Sequence, residues 1–138
     1  MARTKEQNQK MLDKRRDKIH EAAVELFARR GYAATRIQDI AEKAKMSQGL
    51  LYHYYSSKDK IYAALVDEGF SLMNNRVTEL KKLNCSARQK IELAVDALLK
   101  GFQDVDYAPW YHIVIANAAY SDAVPQEIKD LVEKYRYI

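Results

Sequence analysis

Residues 23–61 read AVELFARRGYAATRIQDIAEKAKMSQGLLYHYYSSKDKI, and the punctuation of this stretch decides the fold. Upstream and into it, Leu12, Ile19, Ala22, Ala23, Leu26 and Phe27 recur at helical spacing, which predicts a first helix ending near Arg30. Arg29 and Arg30 place cations in its last turn, and Gly31 supplies a left-handed C-terminal cap. Thr35 followed by Gln38 has the form of a capping box, and Ile37, Ile40, Ala41 and Ala44 mark a second helix of about two turns. Lys45 and Met46 then make a short turn to Ser47, an N-cap for a third helix running to about Tyr55. Two short helices joined by a tight turn, with a third packed across them, are the ingredients of a helix-turn-helix.

Working outward, residues 1 to about 10 (MARTKEQNQK) are polar and basic with no apolar face and are expected to form a flexible arm. On the other side, Ser57 caps a long fourth helix carrying Asp59 in its first turn and Tyr62, Val66, Phe70, Met73, Val77 and Leu80 along one side. At 1.5 Å per residue it should span roughly 35 to 40 Å, long enough to join two domains. Ser86 with Gln89 opens a fifth helix through Ile91, Ala94, Val95, Leu98, Leu99 and Phe102, while Pro109 and Pro125 stand as first residues of a sixth and a seventh. The expectation is an all-α protein: a helix-turn-helix domain over 1–57, joined by the long helix to a helical effector-binding and dimerisation domain over 58–138.

Composition narrows the function classes. With 138 residues and 48% hydrophobic content the chain can bury one compact core, or one small domain and part of a second, which excludes a large multidomain enzyme. His20, His53 and His112 are scattered without metal-ligand spacing, Cys85 has no evident partner, and no Gly-rich phosphate loop occurs. No enzyme, metal or cofactor is therefore expected, and Cys85 reads as an inert residue in a helix–helix turn rather than a redox sensor. One cysteine, no signal-peptide pattern and no apolar run near the roughly 20 residues of a membrane span make a reducing cytoplasm the default. The net charge of +4 is unevenly distributed: residues 1–60 carry +6 and the remainder −2. A basic N-terminal segment is the electrostatic footprint of a polyanion binder.

A wheel drawn on the third helix puts Leu51 and Tyr55 on one side and Gly49, Leu50 and His53 near the other. The first side packs on the two preceding helices; the second suits a major groove. There Gly49 lets the backbone approach, Leu50 can meet a thymine methyl, His53 can bond a base edge and Gln48 can pair with adenine. Tyr52 and Tyr54 flank that face, where their hydroxyls can reach phosphates on opposite walls.

The ordered residues Leu26-Phe27, Gly31-Tyr32, Thr35, Asp39-Ile40-Ala41, Ser47-x-Gly49-x-Leu51-Tyr52-x-Tyr54-Tyr55 and Ser57-Lys58 resemble the signature of the tetracycline-repressor (TetR) family. The resemblance implies that Thr35, Arg36, Gln38 and Ser47 join the DNA-contacting set and that Lys58, at the start of the fourth helix, binds the phosphate backbone. It implies a homodimer on a palindromic DNA operator, released by a small-molecule effector held in the second domain. Met73, Phe102, Tyr107, Trp110, Tyr111, His112, Asn117 and Tyr120 mix apolar area with polar tips and are the candidate pocket residues for a hydrophobic or aromatic effector. Chains of this family usually continue into two further helices forming the dimer interface; here the apolar pattern still runs at Tyr137-Ile138, as expected of a fragment or of a protein that dimerises differently. Two other readings stand beside it: a helix-turn-helix regulator with no small-molecule ligand, and a helical interaction module whose basic half merely keeps it soluble.

Overall fold

The computed structural model describes residues 2–103 and 108–136. These form the helices α1 (Lys5–Ala34), α2 (Ile37–Lys43), α3 (Gln48–Tyr54), α4 (Lys58–Lys82), α5 (Ala87–Gln103), α6 (Ala108–Tyr120) and α7 (Gln126–Tyr135). Among the described residues there is no strand, as the scarcity of Gly and Pro and the wealth of straight-chain residues dictate.

The first departure from expectation is at the start. Residues 5–10 are not an arm but the first turns of α1, because Thr4 caps the helix. Its hydroxyl accepts from the Gln7 N–H at 3.2 Å, and the Gln7 side chain accepts from the Thr4 N–H at 3.0 Å. This reciprocal pair satisfies two of the N–H groups a helix start leaves open. At the other end α1 kinks at Gly31, with φ 79° and ψ 171°, a conformation that costs a residue with a Cβ far more than glycine.

The core is continuous across the expected domain boundary. Ile19, Ala23, Val24 and Phe27 of α1, Ile40 and Ala41 of α2, Leu51 of α3 and Ile61, Tyr62, Leu65 and Val66 of α4 share one buried cluster with Val114 and Ala118 of α6 and Ile128 and Val132 of α7. α6 packs against both α1 and α4, and α7 against α4 and α6. The Tyr62 hydroxyl donates to the Val114 carbonyl at 2.9 Å inside that cluster, which is what a buried phenol requires. Gly69 is buried where α4 meets α6: a Cβ there would stand 2.7 Å from Ile115 Cδ1 and 3.3 Å from Tyr111 Cδ1. Two positively charged side chains hold Glu25 of α1, Lys43 at the end of α2 at 3.1 Å and Arg29 of α1 itself at 3.0 Å, and Arg29 also lies 4.9 Å over the Trp110 ring of α6.

α5 begins as expected, with Ser86 and Gln89 exchanging capping bonds of 2.9 and 3.2 Å, but it buries no residue. Ile91, Leu93, Val95, Leu98, Leu99 and Phe102 are all exposed, as are Leu72 and Val77 on the second half of α4. Ile91, Val95, Leu98 and Phe102 share one side of α5, and the helix meets its neighbours instead along the adjacent side of Lys90, Ala94 and Gly101, which are half-buried. Pro125 is the N-cap of α7 rather than its first residue. No helix of the described residues is long and apolar enough to cross a membrane.

Candidate nucleic-acid interface

The α2–α3 unit is built by a three-residue turn. The N–H groups of Ala44, Lys45 and Met46 donate to Ile40, Glu42 and Ala41 carbonyls at 2.9, 3.1 and 3.0 Å, and Lys45 takes a left-handed φ of 57°. Ser47 then caps α3, its hydroxyl accepting from the Leu50 N–H at 3.1 Å. Leu51, fully buried, anchors the seven-residue α3 to the core by its inner side.

The opposite side is offered to solvent. Gln48, Gly49, Tyr52 and His53 are exposed and Leu50 is half-exposed; Tyr52 keeps 49% of its surface accessible. A Cβ added at Gly49 would meet nothing within 4 Å, so no contact inside the protein requires a glycine there. Arg36 and Gln38, at the start of α2, are exposed as well. Gln38 spends its amide on Glu42 at 3.2 Å.

Two sequence expectations are corrected by burial. Thr35 is the C-cap of α1 and not the N-cap of α2, and it has no accessible surface; its hydroxyl turns inward to the Gly31 carbonyl at 2.8 Å and the Leu26 carbonyl at 3.3 Å. The hydroxyl thus reaches across the kink at Gly31, to a carbonyl on either side of residue 30. Arg36 is the N-cap of α2 instead, and its N–H donates to the Asp39 carboxylate at 3.0 Å. Tyr54 is likewise turned in. Its ring packs against the core, and its hydroxyl is enclosed with no partner among the described residues. Of the two phenols expected to straddle a groove, Tyr52 alone faces outward.

Lys58 opens α4, where the Ser57 hydroxyl accepts from the Lys60 N–H at 3.2 Å. Its ammonium group donates to the Tyr32 carbonyl at 2.9 Å and lies 4.1 Å from the centre of the Tyr32 ring. Burial holds its pKa below the usual lysine value, and the Tyr32 hydroxyl bonds the neighbouring Asp59.

The candidate effector residues do not form one group. Met73 and Tyr120 line an open cleft of about 370 Å³ with Phe70, His112, Ile115 and Val132, and Arg136 stands at its edge. Tyr111 is buried elsewhere, donating to Glu68 at 2.7 Å, and Trp110 is held under Arg29. Phe102 is 59% exposed. Asn117 is half-buried away from the cleft lining, and Tyr107 lies outside the described residues. Helical spacing alone could not separate these cases, since α6 has apolar residues on every side.

The sequence reading missed a polar cluster. His20, 8% exposed in the middle of α1, bonds Glu68 of α4 through Nδ1 and the Tyr55 hydroxyl through Nε2 at 2.6 Å. These partners lie far apart in sequence, and no local pattern marks them. Among the described residues there is no group of His, Cys, Asp and Glu suited to a metal ion.

Residues 19–65 match the bacterial regulatory proteins of the tetR family. The chain is 29% identical over 109 residues to the HTH-type transcriptional regulator HbdR of Aromatoleum sp. (strain CIB), a match covering 79% of this chain and 42% of that protein. It is 36% identical over 92 residues to the HTH-type transcriptional repressor Rv3405c of Mycobacterium tuberculosis (strain ATCC 25618 / H37Rv), covering 61% of this chain and 46% of the repressor. Among solved structures, a TetR-like transcriptional regulator from Rhodococcus sp. RHA1 superposes with a TM-score of 0.70 at 25% identity, over 89% of this chain and 63% of that one. The chain spans less than half the length of these curated relatives. The exposed outer side of α3, the capped two-helix unit that carries it and these matches agree in identifying residues 19–65 as a domain of the bacterial regulatory proteins of the tetR family.

Proposed function

We propose that this chain is the operator-reading part of a TetR-type transcriptional repressor that leaves palindromic DNA when a small molecule binds. The observation that carries this reading is the outer side of α3, where Gln48, Gly49, Leu50, Tyr52 and His53 stand clear of the core on a helix anchored from behind by Leu51. A side chain set of that kind, with an amide, an imidazole and an aliphatic tip, matches the donors, acceptors and methyl groups of base edges. Arg36 and Gln38 at the start of α2, the Ser47 end of α3 and Lys58 at the start of α4 add contacts to the phosphate backbone and the neighbouring bases. This reading leaves out Thr35 and Tyr54, whose hydroxyls are turned inward.

We assign residues 1–57 to the reading head and 58–138 to effector binding and dimerisation, with α4 as the lever between them. A dimer must hold its two α3 helices about one DNA turn apart, roughly 34 to 36 Å, so a shift of a few ångströms at α4 disturbs both half-sites. The cleft between α4, α6 and α7 is the effector site this reading favours. Phe70, Met73, Ile115 and Val132 give it an apolar wall, which suits a hydrophobic or aromatic molecule. The protein acts in the cytoplasm on double-stranded DNA, as a homodimer and without a catalytic step.

Selection of bound duplexes from a random DNA pool tests the proposal. A palindrome with half-sites one turn apart is the expected product. Failure to retain any duplex at low ionic strength, where phosphate contacts are strongest, overturns it.

A further inference from the structure

Four polar groups run in an unbroken line from the end of α3 to α6. Tyr55, the C-cap of α3, meets His20 Nε2 at 2.6 Å. His20 Nδ1 meets Glu68 Oε2, and the same oxygen accepts from the Tyr111 hydroxyl at 2.7 Å. The line crosses α1, α4 and α6 and touches a cavity of about 180 Å³ lined by Asp17, His20, Glu21, Glu68 and Tyr111.

The donors and acceptors sort consistently. The hydrogen bond from His20 holds the Glu68 carboxyl below its ordinary value, so Glu68 is an ionised acceptor and His20 Nδ1 must carry the proton. Burial raises both phenols, and each remains a donor. Tyr55 thus donates to His20 Nε2, His20 donates to Glu68, and Tyr111 donates to the same carboxylate. Each contact in the line then pairs a donor with an acceptor.

This arrangement adds little to cohesion. α1, α4 and α6 are already joined by apolar packing and by the Tyr62–Val114 bond, and buried polar groups bring specificity of position more than stability. What the line does set is the seat of the C-terminal end of α3. That helix has seven residues, with Leu51 fully buried and the Tyr54 ring packed on the core, and Tyr55 at its C-cap adds a hydrogen bond to α1 that bears on its tilt. At the other end, Tyr111 precedes His112 and Ile115, which line the larger cleft.

We infer that His20 is a positioning residue that couples the tilt of α3 to the placement of α6, with Tyr55 and Glu68–Tyr111 as its two arms. The inference rests on the reading of α3 as the DNA-reading helix. The Tyr55 and Tyr111 hydroxyls bond different partners, so energy can pass between them along the His20–Glu68 link.

The test is a double-mutant cycle of Tyr55→Phe and Tyr111→Phe on the intact chain, read as affinity for the duplex obtained by selection. Tyr111→Phe alone should weaken binding by about three- to tenfold, and in the Tyr55→Phe background by less than about twofold. Trp110, the one tryptophan of the chain and the neighbour of Tyr111, supplies a second readout. Its emission should change when DNA binds the unaltered protein and stay constant when DNA binds Tyr55→Phe. If Tyr111→Phe does not fold, Glu68→Gln takes its place in the cycle. Independent effects of the two substitutions, no effect of either, or a Trp110 emission change on DNA binding in Tyr55→Phe as large as that of the unaltered protein overturns the coupling. A chain that retains no duplex at all overturns the DNA-reading assignment instead.

Discussion

The ammonium group of Lys58 is docked on Tyr32, 2.9 Å from its carbonyl and 4.1 Å from the centre of its ring. This contact joins the first residue of α4 to the segment just beyond the kink of α1 and so pins the start of α4 to the end of α1. The carbonyl engages one of three N–H donors, which leaves two for a phosphate.

Lys58→Ala is therefore expected to act twice. It should lower the melting temperature through loss of the Tyr32 contact, and it should weaken binding to every duplex while reducing the slope of log affinity against log salt by about one. Titrations at several salt concentrations check this. An unchanged slope would confine Lys58 to its structural contact.

Gly49→Ala separates folding from recognition. The added Cβ meets nothing within 4 Å and the position is helical, so the free protein should gain up to about 1 kcal/mol from the better helix former. Affinity for the selected duplex should fall, because the methyl group stands between the α3 backbone and the groove. Thermal melts and binding isotherms on the same sample decide, and a variant with unchanged affinity would argue against close backbone approach.

The two tyrosines of α3 should respond differently to loss of a hydroxyl. Tyr52→Phe is expected to lose roughly 1 kcal/mol of binding, the scale of one hydrogen bond, with no change in stability. In Tyr54→Phe the enclosed, unpartnered hydroxyl disappears; stability should rise or hold, and DNA affinity should stay within about twofold. Equal losses of affinity would mean that the Tyr54 hydroxyl swings out on binding.

Thr35→Val keeps the shape of a fully buried side chain but strands the Gly31 and Leu26 carbonyls that its hydroxyl serves. The expected cost is about 1 to 3 kcal/mol of folding stability, measured by denaturant titration, with base preference unaltered. A change in preference without destabilisation would return Thr35 to the interface.

Stability should also fall on mild acidification. Burial first, and then the positive charge of Arg76, holds the His112 imidazole below its ordinary value of 6.5. The unfolded chain therefore takes up this proton first. The corresponding stability is present above about pH 6.5 and is lost as pH drops through the lower, folded value. Glu68, held below 4.5, stays ionised in that window. Melting temperature should decline between about pH 7 and 5, and His112→Leu should flatten that part of the curve. An identical decline in the variant would assign the effect to other groups.

Residue order by itself determined the succession of helices, though not where α1 begins or what caps α2, together with the turn between α2 and α3, the inward side of α3 at Leu51 and the family resemblance of residues 19–65. These depend on caps, breakers and apolar spacing within a few neighbouring residues, where backbone hydrogen bonding acts. Tertiary structure alone decided that Thr35 and Tyr54 point inward, that Tyr111 bonds Glu68 of α4 and that Trp110 lies under Arg29 of α1. It alone brought His20, Tyr55, Glu68 and Tyr111 together. Each of those outcomes depends on which helix lies opposite a side chain, and chain folding brings residues 20, 55, 68 and 111 into reach only when α1, α4 and α6 close around a common core.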